Sequence, residues 1–166
     1  MENDIALMAW IEQRVLALAG RQGSLRESAR QIEREYSLEP GHLGDGLIWQ
    51  TRVMSLMYML ILHPREHWGM EEGDLIYAEI RQRWSPDGVE VITPERHHED
   101  RVYGFIHRLR NAIAHAHVTF RGDDMEFWDV WNGKEAYRAR LTRSEVERFL
   151  GTVGAIMANR RNSPRH

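Results

Sequence analysis

The heptapeptide LRNAIAH, residues 109–115, ends the helix around which we expect the other elements of the chain to pack. It places a strong base, a carboxamide and an imidazole together at the point where the helical pattern stops. Apolar residues before and within it recur at helical spacing, and they are Val102, Phe105, Ile106, Leu109, Ala112 and Ile113. Such a stripe predicts that this face of the helix is buried in the core.

The opposite face of the same predicted helix is polar. Arg108, Asn111 and His115 follow one another at i, i+3 and i+7, with His107 beside them. Successive helical residues turn by about 100°, so Arg110 and His115 point roughly 140° apart. One helix therefore brings this pair onto one phosphate poorly, whereas two copies crossing near Asn111 would do so easily. We expect a homodimer with a composite site on its two-fold axis.

The start of this helix is predicted at Thr93, as the cap, with Pro94 in the first turn. Its predicted end lies near Ala116, where the sequence period changes to two. Two small residues on the polar face, Gly104 and Ala114, would let a second helix approach closely. They favour the crossing that the composite site needs.

Four helical segments are predicted before residue 93. Residues 4–19 and 24–36 each carry an apolar stripe that we expect to be buried, the second after a capping box at Ser24. The stripes are Ile5, Met8, Ile11, Val15 and Leu18, and then Leu25, Ala29, Ile32 and Tyr36. The exposed face of the second helix is dense in arginine and glutamate, which is typical of a solvated, ion-paired surface. Residues 46–63 are apolar on most sides, which predicts the middle of a bundle, and residues 74–84 form a shorter helix.

Short strands with alternating residues are predicted over 117–120, 125–131 and 136–140, with Asn132-Gly133 as a hairpin turn. Residues 89–92 are predicted to be extended. A last helix follows a capping box that opens at Thr142. The predicted fold is therefore mainly α, a bundle of four to six helices with a short antiparallel β-meander, about residues 117–140, before the last helix. We expect residues 1–158 to form one domain and residues 159–166 a frayed tail.

The composition of the chain argues against some classes of function. The chain has 166 residues, no cysteine and a net charge of −3, which argues against a protein that coats nucleic acid through bulk charge. The basic residues are arginines apart from Lys134, and the arginine fork suits phosphate recognition, although a compositional bias explains it equally well. No apolar run approaches the roughly 20 residues that span a bilayer. The acidic first residues lack the basic region of a signal peptide, so we expect a cytoplasmic protein with no membrane partner.

The pattern Arg-Asn-x-x-x-His over residues 110–115 resembles the R-x4-6-H signature of the HEPN superfamily (higher eukaryotes and prokaryotes nucleotide-binding), whose second position is usually polar. The resemblance covers at least residues 45–157. It implies an α-helical bundle, a dimer and, in many members, metal-independent ribonuclease activity in toxins or in defence against phage. It further implies RNA as substrate and an antitoxin or nucleotidyltransferase as a partner.

Carried onto this sequence, the resemblance makes His115 the general acid/base, since histidine exchanges protons near neutral pH. Arg110 would stabilise charge on the phosphate, and Asn111 would orient the imidazole or hold a phosphate oxygen. Weaker candidates for substrate binding are Arg108, His107 and His117. Some members that pair with a nucleotidyltransferase carry a tyrosine where this chain has His117. The β-meander is a second difference from the family pattern, because the simplest members consist of helices alone.

Other interpretations stay open at this point. The chain could be a non-catalytic module that binds RNA, a nucleotide or a protein, and basic residues could simply stabilise the end of the helix. We expect packing of Trp128 and Trp131 between sheet and bundle, with base stacking as the alternative. The pair His97-His98 lacks a repeated carboxylate–histidine spacing, so no metal site and no cofactor are predicted.

Overall fold

The computed structural model of the chain describes residues 5–43, 49–62, 74–93 and 100–162, and the side chains of residues 10–159 within these ranges. The described residues form six α-helices. They are α1 (Ile5–Arg21), α2 (Arg26–Glu35), α3 (Trp49–Met57), α4 (Leu75–Arg83), α5 (Arg101–Ala114) and α6 (Arg143–Asn162). Helix α3 continues as a π-helical turn over Tyr58–Leu62, and Pro86–Gly88 is a short 3-10 turn. The mainly helical prediction is confirmed.

Helix α5 lies at the centre of the core. Every residue of its predicted apolar stripe is buried. The ring of Phe105 contacts Trp84 after α4, Phe127 in the sheet and Phe149 in α6, with ring centroids 5.0, 5.6 and 5.5 Å apart. These apolar contacts fix α5 against three other elements, so the polar residues on its far side are held in place by the whole core.

Helix α3 packs between α1 and α6, and its π-helical turn reaches α5 as well. Its predicted place in the middle of the bundle is confirmed by the burial of Val53, Leu56 and Met57. Helices α1 and α6 approach closely at Gly154, where a Cβ atom would lie 2.4 Å from the Trp10 ring. A larger residue there would separate the two helices or displace the ring.

Four strands form one antiparallel sheet in the order β1-β4-β3-β2. They are β1 (Glu90–Thr93), β2 (Val118–Arg121), β3 (Asp124–Trp131) and β4 (Lys134–Leu141). The sheet is larger than the predicted meander because β1 pairs with β4, Glu90 opposite Arg140. The predicted turn at Asn132-Gly133 is confirmed, since both residues have the positive φ, 50° and 72°, that a two-residue hairpin requires.

The predicted start of α5 is wrong. Thr93 is the last residue of β1, paired with Arg138, and the helix begins at Arg101. The cap is Asp100, whose carboxylate accepts hydrogen bonds from the amides of Val102 and Tyr103 at 2.9 and 3.1 Å. Strand pairing therefore prevails over the cap signal at Thr93, and residues 94–99 lie outside the described ranges.

Three further predictions about the helices are corrected. Helix α2 begins at Arg26 without a side-chain cap, so the capping box at Ser24 is wrong. Helix α6 reaches Asn162, and residues 159–162 are therefore helical rather than part of a tail. Parts of the two predicted apolar stripes are exposed, with Val15 at 61%. The exposed stripe residues are Ile11, Val15, Leu18, Ile32 and Tyr36, whereas Ala29 and Glu33 take the buried positions of α2.

A compact turn ends α5. The amide of Ala116 donates to the carbonyl of Ile113 at 3.2 Å, and the amide of His117 donates to that of Ala112 at 2.8 Å. This is the Schellman arrangement, in which the residue after the cap takes the left-handed conformation that favours glycine. Here that residue is Ala116, with φ at 57°. The turn reverses the chain and leads directly into β2.

We expect Ala116→Gly to raise the free energy of unfolding by about 0.5–1 kcal/mol. Glycine adopts positive φ without the steric cost of a Cβ atom, which outweighs its greater freedom in the unfolded chain. Urea denaturation would measure the change. The matched control is Ala114→Gly inside the helix, which should lower stability by about 1 kcal/mol. A loss of stability in both variants would contradict the prediction.

Candidate functional site

A buried carboxylate on the sheet organises the polar face of α5. Asp129 of β3 is 4% exposed and points toward the helix, on the same strand face as Phe127. The guanidinium of Arg108 donates to it at 2.6 Å, and the Asn111 amide donates to it at 3.3 Å. Because the Arg108 side chain is itself only 14% exposed, this is a buried ion pair with a hydrogen-bonded third member.

Asn111 connects this pair to Arg110. The guanidinium of Arg110 donates to the Asn111 Oδ1 atom at 2.8 Å, while the Nδ2 atom faces Asp129. Arginine only donates and an ionised carboxylate only accepts, so the two neighbours determine which way the amide points. If the amide were reversed, its NH2 group would face the Arg110 donor and its oxygen would face the Asp129 carboxylate, and neither contact would be a hydrogen bond. Asp129, Asn111 and Arg110 therefore form one ordered chain of polar contacts.

His107 lies beside the same amide. Its Nε2 atom is 3.4 Å from the Asn111 Nδ2 atom, and its ring lies 5.7 Å from that of Tyr103. An N–H group of Asn111 aimed at this nitrogen favours the tautomer with the proton on Nδ1. His107 is thus a partly buried member of this polar network.

His115 belongs to a second group at the same helix end. It is the C-cap of α5 and is exposed, and its ring lies 5.9 Å from that of His117, across the turn. The amide of His115 still donates to the carbonyl of Asn111 at 3.0 Å, so the helical path continues up to this residue. The imidazole is therefore accessible to a ligand, with Asn111 one turn behind it.

Aromatic contacts extend this second group onto the outer face of the sheet. The ring of His117 stacks on Trp128 at 5.4 Å and 19°, and the guanidinium of Arg138 lies over Trp128 at 4.9 Å. The predicted packing of Trp128 and Trp131 between sheet and bundle is wrong. Trp128 lies between His117, which precedes β2, and Arg138 of β4, and Trp131 is 66% exposed. Phe127 is the aromatic residue of β3 that packs on the bundle.

The outer face of the sheet carries arginines and glutamates that pair with one another. Glu126, only 2% exposed, accepts hydrogen bonds from Arg138 and from Arg140, the latter at 3.0 Å. The pKa of the Glu126 carboxyl lies below its ordinary value because Arg140 and Arg138 donate to it. Glu135 and Glu90 pair with the same two arginines. These two arginines are therefore paired within the sheet.

The predicted site residues thus fall into two neighbouring groups. Arg108, Arg110, Asn111 and His107 meet around Asp129, and His115 and His117 meet across the turn. Arg108 is held by an internal carboxylate, which makes it a positioning group in this arrangement. Gly104 is buried within the chain, so the close approach of a second helix expected at this glycine is wrong.

Sequence reasoning missed Asp129. A signal was available, because this acidic residue occupies the inward register of β3, two residues after Phe127 and four after Met125. A polar residue in the buried register of a strand requires a partner, and the polar stripe of α5 is the element that supplies it.

The described ranges hold no helix that is both long and apolar enough to cross a membrane. The part of the chain with described coordinates also contains no group of three or more histidine, aspartate or glutamate side chains placed to hold a metal ion. The pair His97-His98 lies outside these ranges.

Comparison with known proteins places the chain in a family. A family model described as HEPN pEK499 p136 matches residues 29–163, from within α2 to the end of α6 and including the whole sheet. No curated protein and no solved structure matches the chain. Because the match covers most of the sequence and includes the Arg-Asn-x-x-x-His pattern at the end of α5, the chain belongs to the HEPN family.

Proposed function

We propose that the chain is a metal-independent endoribonuclease of the toxin or defence type. Its site combines Arg110 of one protomer with His115 of the other in a cytoplasmic homodimer. The observation that carries this proposal is the contrast at the end of α5. Arg110 donates to Asn111, which is itself anchored on buried Asp129, while the His115 imidazole is exposed one turn away. A preorganised cation beside an accessible proton carrier is the arrangement that phosphodiester cleavage needs.

The chemistry is an internal transesterification of RNA. His115 takes the proton of the ribose 2′-hydroxyl, and the 2′ oxygen attacks the adjacent phosphorus. The bond from phosphorus to the 5′ oxygen breaks, and the imidazolium returns the proton to that oxygen. Arg110 stabilises the negative charge that develops on the phosphoryl oxygens. The products are a 2′,3′-cyclic phosphate and a 5′-hydroxyl, so the step consumes no water and no cofactor.

Asp129 has a positioning role in this proposal. Its carboxylate fixes the Asn111 amide, and the amide fixes the Arg110 guanidinium. Arg108 neutralises the buried carboxylate, so that its charge does not attract Arg110 away from substrate. The three contacts predefine the direction of Arg110 before RNA arrives, which lowers the cost of ordering it in the transition state.

Mixing two inactive variants tests the composite site. Arg110→Ala and His115→Ala should each be inactive, yet an exchanged equimolar mixture should recover about a quarter of wild-type activity, because half of the dimers are mixed and each carries one intact site. Cleavage of a labelled RNA in EDTA, with analysis of the product ends, provides the readout.

A site formed within one chain would leave the mixture inactive, and this result would refute the two-fold arrangement. Activity that disappears in EDTA would refute metal independence. Saturable RNA binding by wild type without any cleavage would instead assign the chain to the non-catalytic members of the family.

A further inference from the structure

A cleft lies beside α2, away from the residues of the proposed catalytic site. Its volume is about 590 Å³, and one of its walls is a row of arginines four residues apart. Its lining residues are Arg26, Arg30, Glu33, Arg34, Leu38, Pro40 and Gly41. Because a helix rises about 6 Å over four residues, the guanidinium groups follow one another along the cleft rather than cluster at one point.

The other wall of the cleft is held by a buried carboxylate. Glu33, 4% exposed, accepts hydrogen bonds from the amides of Gly41 and Leu43 at 3.0 and 2.8 Å. These amides hold the pKa of Glu33 below its ordinary value, Gly41 contributing most. Leu38 also donates its amide to the carbonyl of Glu33 at 2.8 Å. The segment after α2 is thereby folded back, so the cleft exists before any ligand binds.

Three arginines and one glutamate are the charged residues that line the cleft. Glu33 has its two oxygens engaged by backbone amides, and the exposed arginine side chains face it from one helix. The ion-paired surface expected from the sequence does not form at two of these positions. Within the described part of the chain, neither Arg30 nor Arg34 forms an ion pair. Both guanidinium groups therefore remain able to donate to an anionic ligand, with Glu33 also attracting Arg30 electrostatically.

We propose that this cleft binds the phosphate backbone of single-stranded RNA, outside the scissile site. The inference rests on the proposed function in taking RNA as substrate. An evenly spaced row of cations in a groove suits successive phosphates of an extended strand, and it does so without reading sequence. The net charge of −3 favours such local binding, because the protein as a whole does not attract nucleic acid.

The test uses the full chain and a single-stranded 2′-O-methyl oligoribonucleotide of mixed sequence, which lacks the 2′-hydroxyl needed for cleavage. Binding is measured across a salt series for wild type and for Arg30→Gln/Arg34→Gln. Each lost phosphate contact should reduce the slope of log K against log salt by about 0.7, or about 1.4 for both. Glutamine retains helix propensity. The matched control is Arg14→Gln/Arg83→Gln, which removes two exposed arginines that do not line the cleft.

The expected result is weaker binding and a smaller slope for the cleft variant alone, equally for unrelated sequences. An unchanged slope, or an equal loss in the control, would overturn the inference. The inference would also be overturned if the cleft bound a mononucleotide while the salt slope for the oligoribonucleotide stayed unchanged in the cleft variant. Cleavage of unmodified RNA is assayed separately. An inactive wild type would refute the proposed function and leave the slope result standing, whereas an active enzyme with an unaffected slope would refute only the cleft.

Discussion

His115→Ala is expected to reduce the rate of RNA cleavage by about 10²–10⁴-fold, the usual contribution of a general acid–base group. The residue is exposed at the end of α5, and its described side-chain contact is with the ring of His117. Its removal should therefore change the free energy of unfolding by less than about 0.5 kcal/mol. Initial rates on a labelled RNA, together with urea denaturation of both proteins, would separate chemistry from stability.

Added imidazole provides the control for this variant. A truncated, exposed histidine leaves space that free imidazole can enter, so imidazole should restore part of the activity of His115→Ala. It should restore none in Arg110→Ala, where the missing group is a cation. Wild-type activity retained by purified His115→Ala would refute the assigned role, as would a loss of activity that imidazole restores equally in both variants.

Asp129→Asn is expected to slow cleavage by about 10²-fold, with the main change in kcat. The variant keeps the shape of the side chain but removes the carboxylate charge that pairs with Arg108, and it weakens the anchor of Asn111. A misplacement of a catalytic group by about 1 Å costs a rate factor of this size. The same change should lower the free energy of unfolding by about 3 kcal/mol, because it breaks a buried ion pair. Rates are therefore measured at a low temperature where the variant remains folded.

Glu126→Gln is the matched control for Asp129→Asn. Both residues are buried carboxylates of β3 that pair with arginine, but Glu126 lies on the outer face of the sheet. We expect it to lower stability and leave kcat unchanged. Equal losses of kcat in the two variants would reduce the role of Asp129 to stability.

Two further comparisons isolate the positioning role of Asp129. On an Arg110→Ala background, Asp129→Asn should cause no additional loss of rate, because the two changes remove one interaction. The double variant Arg108→Met/Asp129→Leu should recover stability, since apolar groups replace a buried pair at little cost. It should nonetheless remain slow, because Asn111 stays without its anchor. Full activity in the double variant would contradict the assignment.

Much of the fold followed from local pattern. The buried stripe of α5 and the turn at Asn132-Gly133 were predictable because each depends on short-range periodicity or on a residue's own backbone preference. The start of α5 could not be predicted in this way. Thr93 carries a good cap signal, yet it pairs with Arg138 across the sheet, and no local pattern encodes a partner 45 positions away (138 − 93).

The candidate site divides in the same way. Arg108, Asn111 and His115 were recognisable because they share one face of α5. Arg110 and His115 were recognisable because they match the spacing of the family signature. Asp129 was not assigned because its role depends on how the sheet packs against the helix. Val15 is likewise exposed although it belongs to the apolar stripe of α1, the helix whose Trp10 ring packs against Gly154 of α6. Long-range packing decided both outcomes.

The turn at Asn132-Gly133 sets more than the shape of a hairpin. Side chains alternate along β3, so a slip of one residue in its pairing with β4 would turn Asp129 to the outer face and Trp128 into the bundle. Arg108 would then lose its ion pair with Asp129 although every residue of the site were still present. The length of this loop therefore decides which face of the sheet carries Asp129. Insertions there should therefore be less tolerated than at other exposed turns. The length of the hairpin is constrained by α5, because it sets the register that places Asp129 against Arg108.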